Sequence, residues 1–155
     1  MTKTAKTARF IPAVEGDRMR ILGDTVVSKG AAADGRSLVA LTIVPPGSGV
    51  PVHRHPSPET FIMLSGELRF HFGEGDALRD VVARPGDIVV APSQAWHAFS
   101  NRSDAEATFA IVYDDTLEAF FREASVGASP GGPPSQAQVD NVIRTALAHG
   151  MAIRG

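Results

Sequence analysis

Between Arg18 and Tyr113 the apolar positions fall in short, interrupted runs: Met19–Val27, Leu38–Val44, Thr60–Leu64, Glu67–Phe72, Val81–Ala83, Asp87–Ala91, His97–Ser100 and Ala107–Tyr113. Gly35, Pro45-Pro46-Gly47, Ser65-Gly66, Gly73 to Asp76 and Pro85-Gly86 separate them. Short β-rich runs bounded by Gly and Pro are the pattern of an all-β sandwich or barrel. No run in this region is long enough for a crossover helix, which disfavours a parallel α/β sheet.

The period changes after Tyr113. Asp115 with Glu118 three places later has the form of a capping box, and Leu117, Phe120, Phe121 and Ala124 recur at helical spacing, predicting a helix over 116–124. A Gly/Pro/Ser stretch from Ser125 to Ser135 interrupts, and Val139, Val142, Ile143, Ala146 and Leu147 mark a second amphipathic helix ending near Gly150. Both helices are expected on the outside of the sheets. The division is therefore an N-terminal arm over 1–16, a barrel over 17–113 and a C-terminal helical extension over 114–155. No segment repeats, so two tandem barrels are excluded.

Composition narrows the class further. The 15 Gly and 11 Pro make about 17% of the 155 residues, above the usual 12% but short of disordered chain. With 15 Lys and Arg against 17 Asp and Glu, a net charge of −2 and no basic block, the chain is not expected to bind nucleic acid. The absence of Cys removes thiol chemistry and thiolate metal sites, and suits a reducing compartment. No apolar run approaches the roughly 18 residues of a membrane helix. The expectation is a soluble, cytoplasmic protein that meets no membrane.

The candidate chemistry lies in Pro46 to Gly66, PGSGVPVHRHPSPETFIMLSG. In an extended strand His53 and His55 project to one side and can share an ion. Glu59 follows beyond Pro56 and Pro58, and alternation carries Phe61 and Met63 onto its face. His97 is the fourth candidate, reached through Ile88–Ala91 and the turn Pro92-Ser93-Gln94. Three imidazoles and a carboxylate form an N/O donor set suited to one divalent transition metal, Fe, Mn, Ni, Cu, Co or Zn. Four ligands on an ion preferring five or six leave a position for water, dioxygen or substrate. If Glu59 does not ligate, it remains available as a base beside a three-histidine site.

These residues resemble the cupin superfamily. Gly47, His53, His55, Glu59 and Gly66 match the spacing of its first signature, and Gly86, Pro92, His97 and Asn101 that of its second. The segment from Thr116 resembles small single-domain cupins described as quercetin dioxygenase-like. The resemblance implies a double-stranded β-helix, or jelly-roll barrel, a metal inside it, and a homodimer. Gln94 stands where the second signature has Gly. A residue other than Gly resists a positive φ by about 1 kcal/mol, so the expectation is an altered turn that shifts His97 slightly.

Phe61, Met63, Phe99 and Tyr113 are candidates for a substrate wall above the metal. His71 reads as a satisfied strand histidine, His149 as a surface residue at a helix C-terminus, and Trp96 as pointing away from His97. Ile62, Leu64 and Trp96 do not fit inside one small barrel, which supports a dimer. The functional expectation is a metal-dependent oxidoreductase of dioxygenase type acting on a small phenolic or diketone-like molecule, with Glu59 as the proton acceptor. The alternative is a non-catalytic, small-molecule-binding or sensory module.

Overall fold

Alternation along single strands sorts the chain into an inside and an outside. In β5 (Glu59–Ser65), Glu59, Phe61 and Met63 are buried while Leu64 and Ser65 are exposed. In β10 (Ala107–Tyr113), Ala107, Phe109, Ile111 and Tyr113 are buried and the residues between them only partly so. A sheet with one face dry and one face wetter closes on a second such sheet. The computed structural model describes residues 7–74, 77–126 and 132–154. The first six residues of the expected arm, positions 75–76 of the Gly73 to Asp76 turn, and positions 127–131 of the linker lie outside the described residues.

Two antiparallel sheets form the barrel. The first has six strands in the order β1 (Asp17–Ile21), β2 (Asp24–Ala31), β3 (Leu38–Val44), β10, β5 and β8 (Ile88–Ala91). The second has the order β11 (Ala152–Ile153), β4 (Gly49–Arg54), β9 (His97–Ser100), β6 (Leu68–Phe72) and β7 (Arg79–Ala83). The all-β, jelly-roll expectation with C-terminal helices thus holds. Between the sheets Phe61, Phe70, Phe99 and Phe109 pack edge-on or tilted, with ring centroids 5.3 to 6.3 Å apart. Such contacts add about 0.5–1.5 kcal/mol each beyond the area they bury, and they form the packed floor of the barrel.

Turn chemistry fixes the register. Gly66 has φ 67°, and a Cβ there would lie 2.6 Å from the Glu106 carbonyl, so only glycine lets β5 turn into β6 past that strand end. Asn101 is 1% exposed and bonds outward to backbone: its amide donates to the Val44 and Ala105 carbonyls and its Oδ1 accepts from Ser103.

The helices are α1 (Asp115–Ala124) and α2 (Gln136–Ala148). Their position corrects the sequence reading. They do not lie on the outer sheet faces; Leu117, Phe120 and Phe121 from α1 and Val139, Val142, Ile143 and Ala146 from α2 wall the interior cavity. Their apolar stripes meet there and also pack on one another, with the Phe120 ring 5.9 Å from that of His149 at the end of α2. The capping assignment also moves by one residue. Asp114 is the N-cap, accepting from Leu117 N and from the Ser57 hydroxyl, while Glu118 turns inward to accept from Ser28 and Tyr113 and pairs with Arg122. In α2, Ser135 and Gln138 form a reciprocal capping box. Gly150, at φ 78°, then turns the chain so that β11 pairs with β4, Ile153 opposite His53.

Described residues 7–16 form no helix or strand and lie along β2, where the Lys29 ammonium donates to the carbonyls of Pro12, Ala13 and Glu15. No helix among the described residues is long and apolar enough to cross a membrane.

Candidate metal centre

The strand ends at one end of the barrel bring the four predicted donors together. His53 is the next-to-last residue of β4, His55 follows that strand, Glu59 opens β5 and His97 opens β9. β4 and β9 pair with His53 opposite His97, and β5 faces them from the other sheet. One donor atom from each residue lies within 4.8 Å of all the others. The ring centroids are 4.4 Å apart for His53 and His97, 5.3 Å for His53 and His55, and 5.2 Å for His55 and His97.

Backbone carbonyls orient two of the rings. Nδ1 of His53 donates to the Pro51 carbonyl at 2.8 Å, and Nδ1 of His97 to that of Ala95 at 2.9 Å. Both bonds aim Nε2 into the cluster, as a carbonyl on the far nitrogen does for metal-binding histidines. Glu59 Oε2 accepts from His55 Nε2 at 2.9 Å and from His97 Nε2 at 2.8 Å. His55 Nδ1 is buried without a partner. The turn before β9 supports the site: Gln94 N–H donates to the His55 carbonyl at 2.8 Å. Gln94 has φ 65°, so the expected alteration of this turn does not occur. The residue accepts the strained angle, and His97 stands in the cluster.

Charges in the cluster are strongly coupled. Burial, then the neighbouring His97, pushes the His53 imidazole down to about 4, which keeps it neutral. Burial pushes the Glu59 carboxyl up, but hydrogen bonds from His55 and His97 outweigh it and bring it down to about 2. His97 is raised: burial lowers it, and the Glu59 carboxylate more than compensates. A buried carboxylate shared by imidazoles, with converging nitrogens and one orphaned ring nitrogen, fits a divalent cation better than it fits a packed core. His53, His55, Glu59 and His97 are the residues that would hold it.

The cluster opens into a cavity of about 140 Å³. Phe61 and Phe99 line it, as do Phe109, Ile111 and the helix residues named above. Met63 and Tyr113 are not among its lining residues. Met63 is 1% exposed, packed in the floor, and the Tyr113 hydroxyl is turned to Ser28 and Glu118, where burial and the Glu118 carboxylate push it up. His71 bonds to Asp80 across the β6–β7 pair, and His149 caps α2 and bonds Glu123 at 2.6 Å. Trp96 lies under the guanidinium groups of Arg54 and Arg154, 4.8 and 5.0 Å from its ring centroid. Sequence reasoning missed Asp24 and Thr42, both lining the cavity. The signal was present: Asp24 shares the inward face of β2 with Val26 by alternation.

The fold and site define a cupin. A family profile described as Cupin domain matches residues 40–113. The oxalate-binding protein of Thermotoga maritima is 32% identical over 88 residues, covering 56% of this chain and 69% of that protein. The chain belongs to the cupin family. Among solved structures, a predicted oxalate decarboxylase from Thermotoga maritima is 25% identical with a TM-score of 0.56, covering 68% of this chain and 98% of its own. A sugar phosphate isomerase of the cupin superfamily from Silicibacter pomeroyi is 28% identical with a TM-score of 0.50, and the alignment spans 59% of each chain. The polyketide cyclase RemF from Streptomyces resistomycificus, at 18% identity and a TM-score of 0.57 over 70% of this chain and 80% of its own, shares the fold.

Proposed function

We propose that this protein is a metal-dependent enzyme of dioxygenase type that oxidises a small molecule with an apolar, phenolic or diketone-like body. The observation that carries this is the union of the four-donor cluster with a cavity walled by Phe, Ile, Leu and Val side chains. Among the described lining residues there is no Lys or Arg. A small dianion such as oxalate would be poorly neutralised there, whereas an aromatic or branched body is desolvated favourably. A divalent transition metal bound at the cluster supplies Lewis acidity and, if redox-active, access to dioxygen. The chain supplies the rest. Phe61 and Phe99 orient the body, α1 and α2 exclude water, and Glu59, held as a carboxylate, accepts the hydroxyl proton of the substrate.

The test begins with elemental analysis of protein purified without chelator or nickel resin. About one equivalent of transition metal is expected, and His53→Ala should lose it while the circular dichroism spectrum is kept. Metal content unchanged by that substitution would overturn the site. Oxygen uptake is then screened with phenols and diketones; retained metal and ligand binding without turnover would support the second reading. That reading, a non-catalytic binding module, is favoured by the likeness to the oxalate-binding protein of Thermotoga maritima.

We further infer a homodimer formed through the outer face of the six-stranded sheet. Val27, Leu41, Ala110, Ile62 and Ile88 form one cross-strand row, and Val39, Val112, Thr60 and Val90 the next. On β3, β10, β5 and β8 neither row carries a charge, and Leu64, Ile88 and Val90 are 48%, 59% and 65% exposed, whereas Arg18 continues the first row onto β1 beside the buried Val27. A charge-free patch complements a second copy of itself across a two-fold axis.

A further inference from the structure

Asp24 is the cavity carboxyl that the metal cluster does not explain. It opens β2 and is 3% exposed. Its Oδ1 accepts from the Ser48 hydroxyl at 2.6 Å. None of the described residues donates to Oδ2, although Asp24 lines the same cavity as His53, His55, Glu59 and His97. A largely buried carboxyl whose second oxygen has no described donor and that lines the cavity is where a ligand group can complete it.

The surrounding chain is built to hold it. Leu22, at the tip of the β1–β2 hairpin, has φ 55°, uncommon for a bulky residue, and its side chain lines the cavity too. Gly23 packs so closely on Ser48 that a Cβ would lie 2.5 Å from the hydroxyl oxygen that reaches Asp24. Local strain and close approach together position the carboxyl. Burial raises it to about 7, against the lowering effect of Ser48. It therefore both donates and accepts near neutral pH, and among ligand groups a hydroxyl answers both forms.

We propose that Asp24 contacts the ligand at a second polar point of the cavity, selecting molecules whose apolar body carries a metal-binding oxygen and, apart from it, a hydroxyl. The proposal rests on the metal reading above. A purely structural Asp24 would tie the hairpin to Ser48 and leave ligand choice unaffected.

The test uses the zinc-loaded protein, which is redox-silent, and isothermal titration calorimetry with three probe pairs: benzoate and 4-hydroxybenzoate, phenylacetate and 4-hydroxyphenylacetate, 3-phenylpropanoate and 3-(4-hydroxyphenyl)propanoate. The carboxylate serves the metal, and the series varies the span to the hydroxyl. At least one hydroxylated probe should bind about tenfold tighter than its parent, and Asp24→Leu should abolish that preference at unchanged zinc content. In the wild-type protein the carbon-13 resonance of the Asp24 carboxyl should move with that hydroxylated probe and not with its parent. No hydroxyl preference in any pair, a preference that survives Asp24→Leu, or an unmoved resonance overturns the proposal. Failure to bind zinc instead overturns the metal reading, and this one with it.

Discussion

A carboxyl kept from water changes the stability of the whole chain with pH. Asp24 is raised from 3.8 to about 7 by burial, so between those values the folded state binds a proton that the unfolded state has released. Stability from this residue is complete below about pH 4 and is lost as pH rises through 7, by roughly 4 kcal/mol for a displacement of that size. Asp24→Asn removes the titration while keeping an oxygen for Ser48. In urea unfolding, the variant should gain at least about 2 kcal/mol on wild type between pH 5 and pH 8. Parallel pH curves for the two proteins would contradict the buried, ionisable state.

Turns and caps decide where the elements deliver their side chains. The Pro92-Ser93-Gln94 turn keeps a left-handed residue without glycine, because the Gln94 backbone N–H is bonded to the His55 carbonyl and the two segments that carry the candidate ligands hold each other. Gln94→Gly should therefore stabilise the protein by about 1 kcal/mol, a rise of about 2–4 °C in Tm, with metal content unchanged. A fall in Tm would show that the Gln side chain contributes more than its backbone costs. Glu118 illustrates the reverse case. Its spacing from Asp115 resembles a cap, yet the Ser28 and Tyr113 hydroxyls converge on it and fasten α1 to the barrel. Local spacing identified a helix start to within a residue, and a distant strand reassigned the side chain.

At the scale of the molecule, the outer sheet face and the helix roof are the two large apolar surfaces. The roof is used internally, closing the cavity. The sheet face is the surface proposed for a second copy, so Val90→Glu, which places a charge on the exposed edge strand β8, should convert a dimer to a monomer in light scattering without loss of metal. A monomeric wild-type protein would remove the dimer.

Much of this was legible along the chain. The alternation of β5 and β10, the Gly and Pro punctuation and the spacing of His53, His55, Glu59 and His97 are local properties, and they determined the barrel and the candidate ligands. Backbone period dictates which side chains share a face, and that rule needs no knowledge of the partner strand. Alternation puts Asp24 on the inward face of β2, but three things were decided only by tertiary packing: that α1 and α2 roof the cavity, that Met63 and Tyr113 stay out of it, and that the inward face at Asp24 opens on the metal cluster's cavity rather than on packed core. Each depends on which surfaces meet across the fold, and an apolar stripe or a lone carboxyl carries no address until its neighbours are assembled around it.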